Sequence, residues 1–115
     1  MNNDCLFCKI ASGEMDTKFV YQNDNLVAFK DINPKAPVHI LIVPKKHIPT
    51  INDLEITDTP LVGNMIQTAK LIAEEQGIAE EGYRLVFNVG EKGGQEVKHI
   101  HLHLMGGRQM KWPAG

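Results

Sequence analysis

Short apolar runs alternate with polar, turn-forming segments in the first part of the chain. Runs rich in β-branched and aromatic residues occupy 19–21, 26–29 and 39–43, and the last of them stops at Pro44. The Asn/Asp-rich segment 22–25 separates the first two runs, as a hairpin turn would. The pattern therefore predicts a β-hairpin followed by a third strand.

A long helix is predicted from about Asp58 to Gln76. Its apolar residues recur at helical spacing and form one stripe, made of Leu61, Val62, Met65, Ile66, Ala69, Ile72 and Ala73. Thr59 suits the N-cap position, Pro60 the first helical position and Gly77 the C-cap.

Two more strands are predicted after this helix, at 83–89 and 98–105, with a Gly93-Gly94 turn before the second. Near the start, residues 6–10 are predicted to form a short helical turn that Gly13 closes. This order of elements favours an α+β fold with a largely antiparallel sheet.

Three histidines alternate with apolar residues in the segment His99-Ile100-His101-Leu102-His103. Because side chains on a strand alternate between its two faces, the three imidazoles are expected on one face. Three interpretations are open: a solvated polar face, a zinc site, and nucleophilic catalysis at phosphorus. The Gly-rich loop between Asn88 and Gln95 favours the last, because its backbone and amide N–H groups can bind a phosphate.

Composition narrows the class of protein. The chain has 115 residues, which is the size of one domain, and neither a repeat nor a linker divides it, so a single domain over 1–115 is expected. Its net charge of −2 argues against a nucleic-acid or anionic-membrane partner. No apolar run is long enough for a membrane span, and the opening Met1-Asn2-Asn3-Asp4 predicts no signal peptide, so a cytoplasmic location is expected.

The pattern His-φ-His-φ-His-φ-φ from His99 to Met105 resembles the signature of the histidine triad (HIT) superfamily of nucleotide hydrolases and transferases. Several other segments are similar to its Hint branch, the purine nucleoside phosphoramidases: LFCKI at 6–10, DINP at 31–34, APVH at 36–39, PKKH at 44–47, GGRQ at 106–109 and KWPAG at 111–115. The resemblance implies a HIT-like fold with a five-stranded antiparallel sheet, one long helix and a short N-terminal helix. It also implies a homodimer in which two sheets form one of ten strands.

The resemblance further implies the role of each histidine. His101 would attack the α-phosphorus of a purine nucleoside phosphoramidate, that is, an AMP-amine or a GMP-amine, or of an aminoacyl adenylate, and water would hydrolyse the resulting nucleotidyl-histidine. His103 would bind the phosphate or donate toward the leaving group, and His39 would support the cluster. Family transferases carry glutamine at the position of His103, so a histidine there favours water as the acceptor.

The same resemblance assigns nucleotide-binding positions. Asp31 would accept hydrogen bonds from the ribose hydroxyls. The apolar slot for the purine would be formed by Phe7, Ile10, Ile32 and Leu41. The donors on the phosphate side would be Asn88, Gly94 and Gln95. Trp112 would approach the site of the partner subunit, or else anchor the C-terminal segment.

Glu96 is a departure from the animal Hint proteins, which carry serine at this position after Gly-Gly-Gln. A serine hydroxyl can donate a hydrogen bond to the scissile nitrogen, whereas a carboxyl group donates only when it is protonated. Bacterial relatives carry glutamate here, so activity is still expected, and the group that donates to the leaving nitrogen is left open.

Cys5 and Cys8 form a Cys-x-x-Cys pair, which alone is also consistent with two buried apolar side chains or a redox pair. In other branches of the superfamily, this pair binds zinc with a histidine of the Pro-Lys-x-His segment and the first triad histidine. The corresponding residues here are His47 and His99. Two Cys and two His complete a tetrahedral set, so such a zinc ion would be structural.

Two alternatives to the phosphoramidase prediction are kept. One is a dinucleoside polyphosphate hydrolase or nucleotidyl transferase, which would use the same nucleophile. The other is a nucleotide-binding regulatory module with little turnover. No organic cofactor is expected in any of these interpretations.

Overall fold

The computed structural model describes residues 4–115 of the chain. The elements in chain order are α1 (Leu6–Ala11), β1 (Tyr21–Gln22), β2 (Leu26–Lys30), β3 (Val38–Pro44), two single 3₁₀ turns (Ile51–Asp53 and Ile56–Asp58), α2 (Thr59–Glu75), β4 (Tyr83–Val86) and β5 (Leu102–Gly106). The five strands form one antiparallel sheet in the order β1-β2-β3-β5-β4. The predicted α+β fold, with one long and one short helix, is confirmed.

The two faces of the sheet have different covers. On one face, α2 packs Met65, Ala69 and Ile72 against buried strand residues, which are Leu26, Ala28, Ile40, Ile42, Leu102 and Leu104. On the other face, α1 places Phe7 and Ile10 over Val27, Phe29, Leu41 and Val43. Since α1 has only six residues, it covers part of its face and leaves the rest open to a cavity.

The sequence predicts that the last strand begins at Lys98, but β5 begins at Leu102. The physical reason is the end of β3: its last ladder pair joins Ile42 to Leu102, and the following chain turns away at Pro44. The N–H of Ile100 then donates to the carbonyl of Ile48 at 2.8 Å. The predicted alternation persists through this irregular segment, because Ile100 and Leu102 enter the core under α2.

Two other predicted boundaries also shift. Strand β4 ends at Val86 and not at residue 89. Thr59 is the first helical residue of α2 and not its N-cap, because Asp58 occupies the cap position and its carboxylate accepts from Lys46 Nζ at 2.6 Å. Gly77 follows the C-cap residue with a φ of +75°, the left-handed conformation that commonly ends helices.

Neither helix of the segment 4–115 combines the length and the apolarity that crossing a bilayer would require. The first residues of the predicted domain, Met1 to Asn3, lie outside the described part of the chain, as does most of the segment for which no signal peptide is expected.

Candidate active site

Strands β3 and β5 bring two of the predicted catalytic histidines into direct contact. In the ladder, His39 pairs with Met105 and Leu41 pairs with His103, so His39 and His103 lie diagonally on the same face. Their side chains meet, with His39 Nε2 3.0 Å from His103 Nδ1. His101 precedes β5, and its ring centroid is 5.0 Å from that of His103. All three predicted catalytic histidines are therefore brought together.

The hydrogen bonds of His39 determine the proton positions in this group. The backbone N–H of Lys35 donates to His39 Nδ1 at 3.0 Å, so neutral His39 carries its proton on Nε2. That N–H donates to His103 Nδ1 at 3.0 Å, while Asp31 Oδ2 lies 3.5 Å from the same nitrogen. Neutral His103 must then carry its own proton on Nε2. We call this chain of contacts the histidine relay (Asp31, His39, His103).

His101 has the opposite arrangement of its two ring nitrogens. Its Nδ1 lies 2.8 Å from the carbonyl oxygen of His99, and because a carbonyl only accepts, Nδ1 carries the proton. The lone pair of neutral His101 is therefore on Nε2. The ring is 7% exposed and lies edge-on to Phe7, with 4.9 Å between centroids. His101, whose lone pair is on Nε2, therefore lies beside His103, whose proton is on Nε2.

Burial keeps these rings neutral. Loss of hydration, together with charge repulsion from the neighbouring His101 and His39, lowers the pKa of His103 to about 4. Burial also lowers the pKa of His39, against the opposing effect of Asp31, and the pKa of His101, against its bond to the His99 carbonyl. At neutral pH the site thus holds imidazoles and not imidazolium ions.

The histidines form one wall of a cavity of about 430 Å³. Its other lining includes every apolar residue predicted for the purine slot, namely Phe7, Ile10, Ile32 and Leu41. Asp31 and Glu96 also line it. Asp31 Oδ1 accepts from the backbone N–H of Asn33 at 2.8 Å, which fixes the carboxylate at the end of β2.

All three predicted phosphate-side residues, Asn88, Gly94 and Gln95, belong to the neighbouring loop and do not line this cavity. Gln95 Nε2 donates to the carbonyls of Pro49 at 2.6 Å and Val97 at 3.0 Å, and Gln95 Oε1 accepts from the N–H of Gly90 at 3.0 Å. The amide of Asn88 donates to Gly93 at 2.7 Å, and Gly94, with a φ of +80°, lies next to it. Within this chain, these amides hold the loop in place.

Trp112 lies away from the cavity and is 84% exposed. The C-terminal segment that carries it is fastened to β4, because Arg84 Nη2 donates to the carbonyl of Lys111 at 2.8 Å.

The four predicted zinc ligands converge on one point at the opposite end of the histidine segment. Cys5 Sγ lies 3.2 Å from His99 Nδ1, and Cys8 Sγ lies 3.2 Å from His47 Nδ1. The two Nδ1 atoms are themselves 3.2 Å apart, and all four potential ligand atoms lie within 4.8 Å of one another. These residues could hold a metal ion, and we call them the Cys₂His₂ cluster (Cys5, Cys8, His47, His99).

The geometry of the Cys₂His₂ cluster fits a tetrahedral ion. Zinc bonds to sulfur and nitrogen would place tetrahedral ligand atoms about 3.3–3.8 Å apart, close to the distances found here. His99 Nε2 lies 2.7 Å from the Pro44 carbonyl and must carry the proton, which leaves Nδ1 free as a ligand. Burial and the neighbouring Cys5 raise the pKa of the Cys8 thiol to about 11, so a thiolate here needs a cation beside it.

Sequence reasoning missed six residues that also line the cavity, which are Leu6, Phe29, Lys30, Asn33, Lys35 and Val97. The residue type of Lys35 gives no hint of its role, because its backbone N–H, and not its side chain, donates the hydrogen bond that orients His39. The only signal is its position four residues before His39, in the two-proline segment where the chain must turn back on itself.

Comparison with known proteins gives one consistent result. The HIT domain family model matches residues 12–110. A purine nucleoside phosphoramidase of Escherichia coli is 50% identical over 110 residues, covering 96% of this chain and 92% of the relative. A HIT family hydrolase from Legionella pneumophila has a TM-score of 0.96 and 58% identity, with 97% of this chain and 100% of that one covered. A histidine triad protein from Clostridium difficile has a TM-score of 0.93 at 42% identity, with 96% of each chain covered.

Proposed function

The chain belongs to the HIT family, and on that premise we propose that it cleaves the P–N bond of purine nucleoside phosphoramidates through a nucleotidyl intermediate on His101. The chain is a nucleotide hydrolase of this family; the substrate class and the intermediate are the proposal. One observation carries it: His101 has its lone pair on Nε2, and the adjacent His103 has its proton on Nε2.

In the first step, His101 Nε2 attacks the α-phosphorus, and the P–N bond to the amine breaks. The substrate nitrogen enters this step protonated, so the amine leaves as neutral R–NH2, and His103 Nε2–H donates a hydrogen bond to the lone pair that forms on it. His39 Nε2–H stays bonded to His103 Nδ1, so His103 remains a neutral imidazole throughout. In the second step, water attacks the phosphorus and the P–Nε2 bond breaks, so that the electron pair returns to His101. One proton of that water is released to solvent and balances the proton that entered with the substrate nitrogen.

The nucleotide is proposed to lie in the 430 Å³ cavity, which is within the size range of small-molecule sites. Phe7, Ile10 and Leu41 would contact the purine with Ile32, whose 96% exposure leaves it free to close over the base. Asp31 would accept from the ribose hydroxyls with the lone pairs that the Asn33 N–H does not use. The preference for purine is supported by the name of the Escherichia coli relative.

Phosphate contacts from the 88–95 loop remain a prediction. The side-chain amides of Asn88 and Gln95 already donate to carbonyls, so phosphate binding there would depend on backbone N–H groups or on rotation of Asn88. Glu96 lines the cavity without a serine hydroxyl beside it, so His103 is the proposed donor to the leaving nitrogen.

We also propose that the Cys₂His₂ cluster binds zinc as a structural ion. Four protein ligands leave no open position, so the ion would supply stability and not a reactive water. The ion would also help to orient His101, because it would fix His99, whose carbonyl accepts a hydrogen bond from His101 Nδ1. Two cysteines that remain free to ligate zinc fit the reducing cytoplasm, where we expect the protein to act.

A homodimer is the proposed assembly. Strand β4 is at one edge of the sheet, so a second copy could pair there and extend five strands to ten. Trp112, which is 84% exposed beside that edge, would contact the partner.

The test is hydrolysis of a fluorogenic adenosine tryptamine phosphoramidate by the native chain and by His101→Ala. We expect the variant to lose about a thousandfold or more in rate, because a covalent step loses its nucleophile. Gln67→Ala, an exposed change on α2, is the control and should match the native chain. Equal rates for His101→Ala and the native chain would refute the mechanism. Hydrolysis of diadenosine polyphosphates alone would favour the polyphosphatase alternative, and binding without turnover the regulatory module.

A further inference from the structure

A second cavity lies on the far side of the histidine relay. It has a volume of about 280 Å³, and its walls include Lys35, His39, Arg84, His103, Arg108 and Asn88, which is one of the predicted phosphate-side donors. It shares Lys35, His39 and His103 with the nucleotide cavity. The relay is therefore a wall between two cavities.

The strand register explains how a basic residue from β4 comes close to the reacting histidines. Arg84 pairs with Met105, and Met105 pairs with His39, so these three residues form one row across the sheet. His103 lies in the next row of the same face, diagonal to Arg84, and diagonal residues are about 7–8 Å apart, within reach of a long side chain.

Lys35, Arg84 and Arg108 line this cavity, and no Asp or Glu of residues 4–115 is among its walls. Lys35, Arg84 and Arg108 form no ion pair with any carboxylate of residues 4–115. The guanidinium groups are held in place by backbone carbonyls, since Arg108 Nε donates to Lys35 at 2.8 Å and Arg84 Nη2 donates to Lys111 at 2.8 Å. These bonds orient the cations but leave their charge uncompensated, in a chain whose net charge is −2.

The apolar floor of the cavity completes a small, amphipathic site. Val86, Met105 and Met110 contribute to its walls, and the sheet closes its base. Such a lining suits a short organic group that ends in a negative charge. We call this cavity the basic groove (Lys35, Arg84, Arg108).

We propose that the basic groove binds an anionic group, a carboxylate or a phosphate, carried by the leaving amine. The inference rests on the proposed function: with the nucleoside in the first cavity and the P–N bond at the shared histidine wall, the amine projects into the second. Guanidinium groups recognise both anions through charge-assisted hydrogen bonds. The preferred substrates are then phosphoramidates whose amine is itself acidic, such as an amino acid attached through its nitrogen.

The experiment compares ligands that differ only in this anionic group. One pair is AMP joined to tryptamine or to tryptophan, and the other is AMP joined to ethanolamine or to phosphoethanolamine. Non-cleavable analogues with a methylene in place of the bridging nitrogen are titrated into the native protein by calorimetry, so that the result does not depend on turnover. We expect the anionic member of at least one pair to bind about tenfold more tightly, the size typical of one charge-assisted hydrogen bond.

Charge-removing variants then locate the effect. Arg84→Gln and Lys35→Gln should each reduce the preference severalfold, and Arg84→Lys should retain most of it because the charge is kept. Lys35→Gln provides a test that does not depend on the folding of the arginine variants. The Lys35 side chain makes a single exposed hydrogen bond, to the Asn33 carbonyl, so we expect its replacement to leave the fold intact. Lys70→Gln removes an exposed charge from α2 and should leave the preference unchanged.

The outcomes separate this proposal from the proposed function. A preference for tryptophan identifies a carboxylate site, and one for phosphoethanolamine a phosphate site. Equal binding of both members of both pairs, or a preference that survives Arg84→Gln and Lys35→Gln, would overturn the basic groove. If the analogues show no preference while the tryptamine substrate is still cleaved through His101, only the groove proposal fails.

Discussion

The Cys₂His₂ cluster and the histidine relay each include one histidine of the segment 99–103, yet the positions of their protons differ. In the relay, each contact pairs a donor with an acceptor: Lys35 N–H with His39 Nδ1, and His39 Nε2–H with His103 Nδ1. In the Cys₂His₂ cluster, His99 Nδ1 lies 3.2 Å from Cys5 Sγ, 3.5 Å from Cys8 Sγ and 3.2 Å from His47 Nδ1. Hydrogen bonds cannot satisfy all of these contacts together, whereas one shared cation can.

This difference shows that the partners of an imidazole decide its chemistry. His99 and His103 are four residues apart and are expected on the same face from the sequence. His99 Nε2–H donates a hydrogen bond to the Pro44 carbonyl, and the lone pair on His99 Nδ1 lies toward the sulfur of Cys5. His103 Nδ1 accepts a hydrogen bond from His39 Nε2–H, so the proton of His103 is on Nε2. His101 lies between them and is linked to the metal side by its bond to the His99 carbonyl.

The largest effect is expected from breaking the Cys₂His₂ cluster. Cys5→Ser should abolish stoichiometric zinc and lower the free energy of unfolding by about 3 kcal/mol, the contribution of a ligand present at a hundredfold or more above its Kd. Elemental analysis and urea unfolding measure the two effects. His103→Gln is the matched control, since it should leave the zinc content unchanged. Full native stability in zinc-free Cys5→Ser would contradict a structural ion.

A smaller effect is expected from breaking the relay. His103→Gln should lower kcat by about a hundredfold, which is typical of losing one positioned hydrogen-bond donor in the transition state, while changing the melting temperature little. Turnover of the tryptamine phosphoramidate and thermal unfolding are the measurements. Loss of zinc from this variant would mean that the two clusters are not independent.

The smallest effect is a pH dependence of stability that comes from the relay. Burial lowers the pKa of His103 to about 4 in the folded chain, below its ordinary unfolded value of about 6.5. The unfolded chain therefore binds the proton more readily, so this contribution to stability is complete above about pH 6.5 and is lost as the pH falls toward 4. The charged and titratable groups that line the two cavities beside His103 are Lys30, Asp31, Lys35, His39, Arg84, Glu96, His101 and Arg108.

Urea unfolding at about pH 7.5 and about pH 5 measures this dependence, because the two values bracket the ordinary histidine pKa. His103→Gln should show a shallower decrease in stability than the native chain. An equal decrease in both proteins would assign the acid sensitivity to other groups.

Local pattern alone was enough to predict much of this molecule. A side-chain period of two places Ile100, Leu102 and Leu104 in the core whatever the partner strand is, and the stripe on α2 is fixed by helical spacing in the same way. The resemblance to a known family then predicted nine of the fifteen residues that line the nucleotide cavity and the four residues of the Cys₂His₂ cluster. The α+β fold with its antiparallel sheet followed from element order.

Only the tertiary structure decided the rest, because those features depend on register and on backbone partners far apart in the chain. The late start of β5 depends on Pro44 and on the Ile48 carbonyl, and sequence patterns contain no information about that pairing. Gln95 was predicted as a phosphate donor, but its amide spans the loop to Pro49. The basic groove exists because Arg84, Met105 and His39 form one row of the folded sheet, which their positions in the sequence do not reveal.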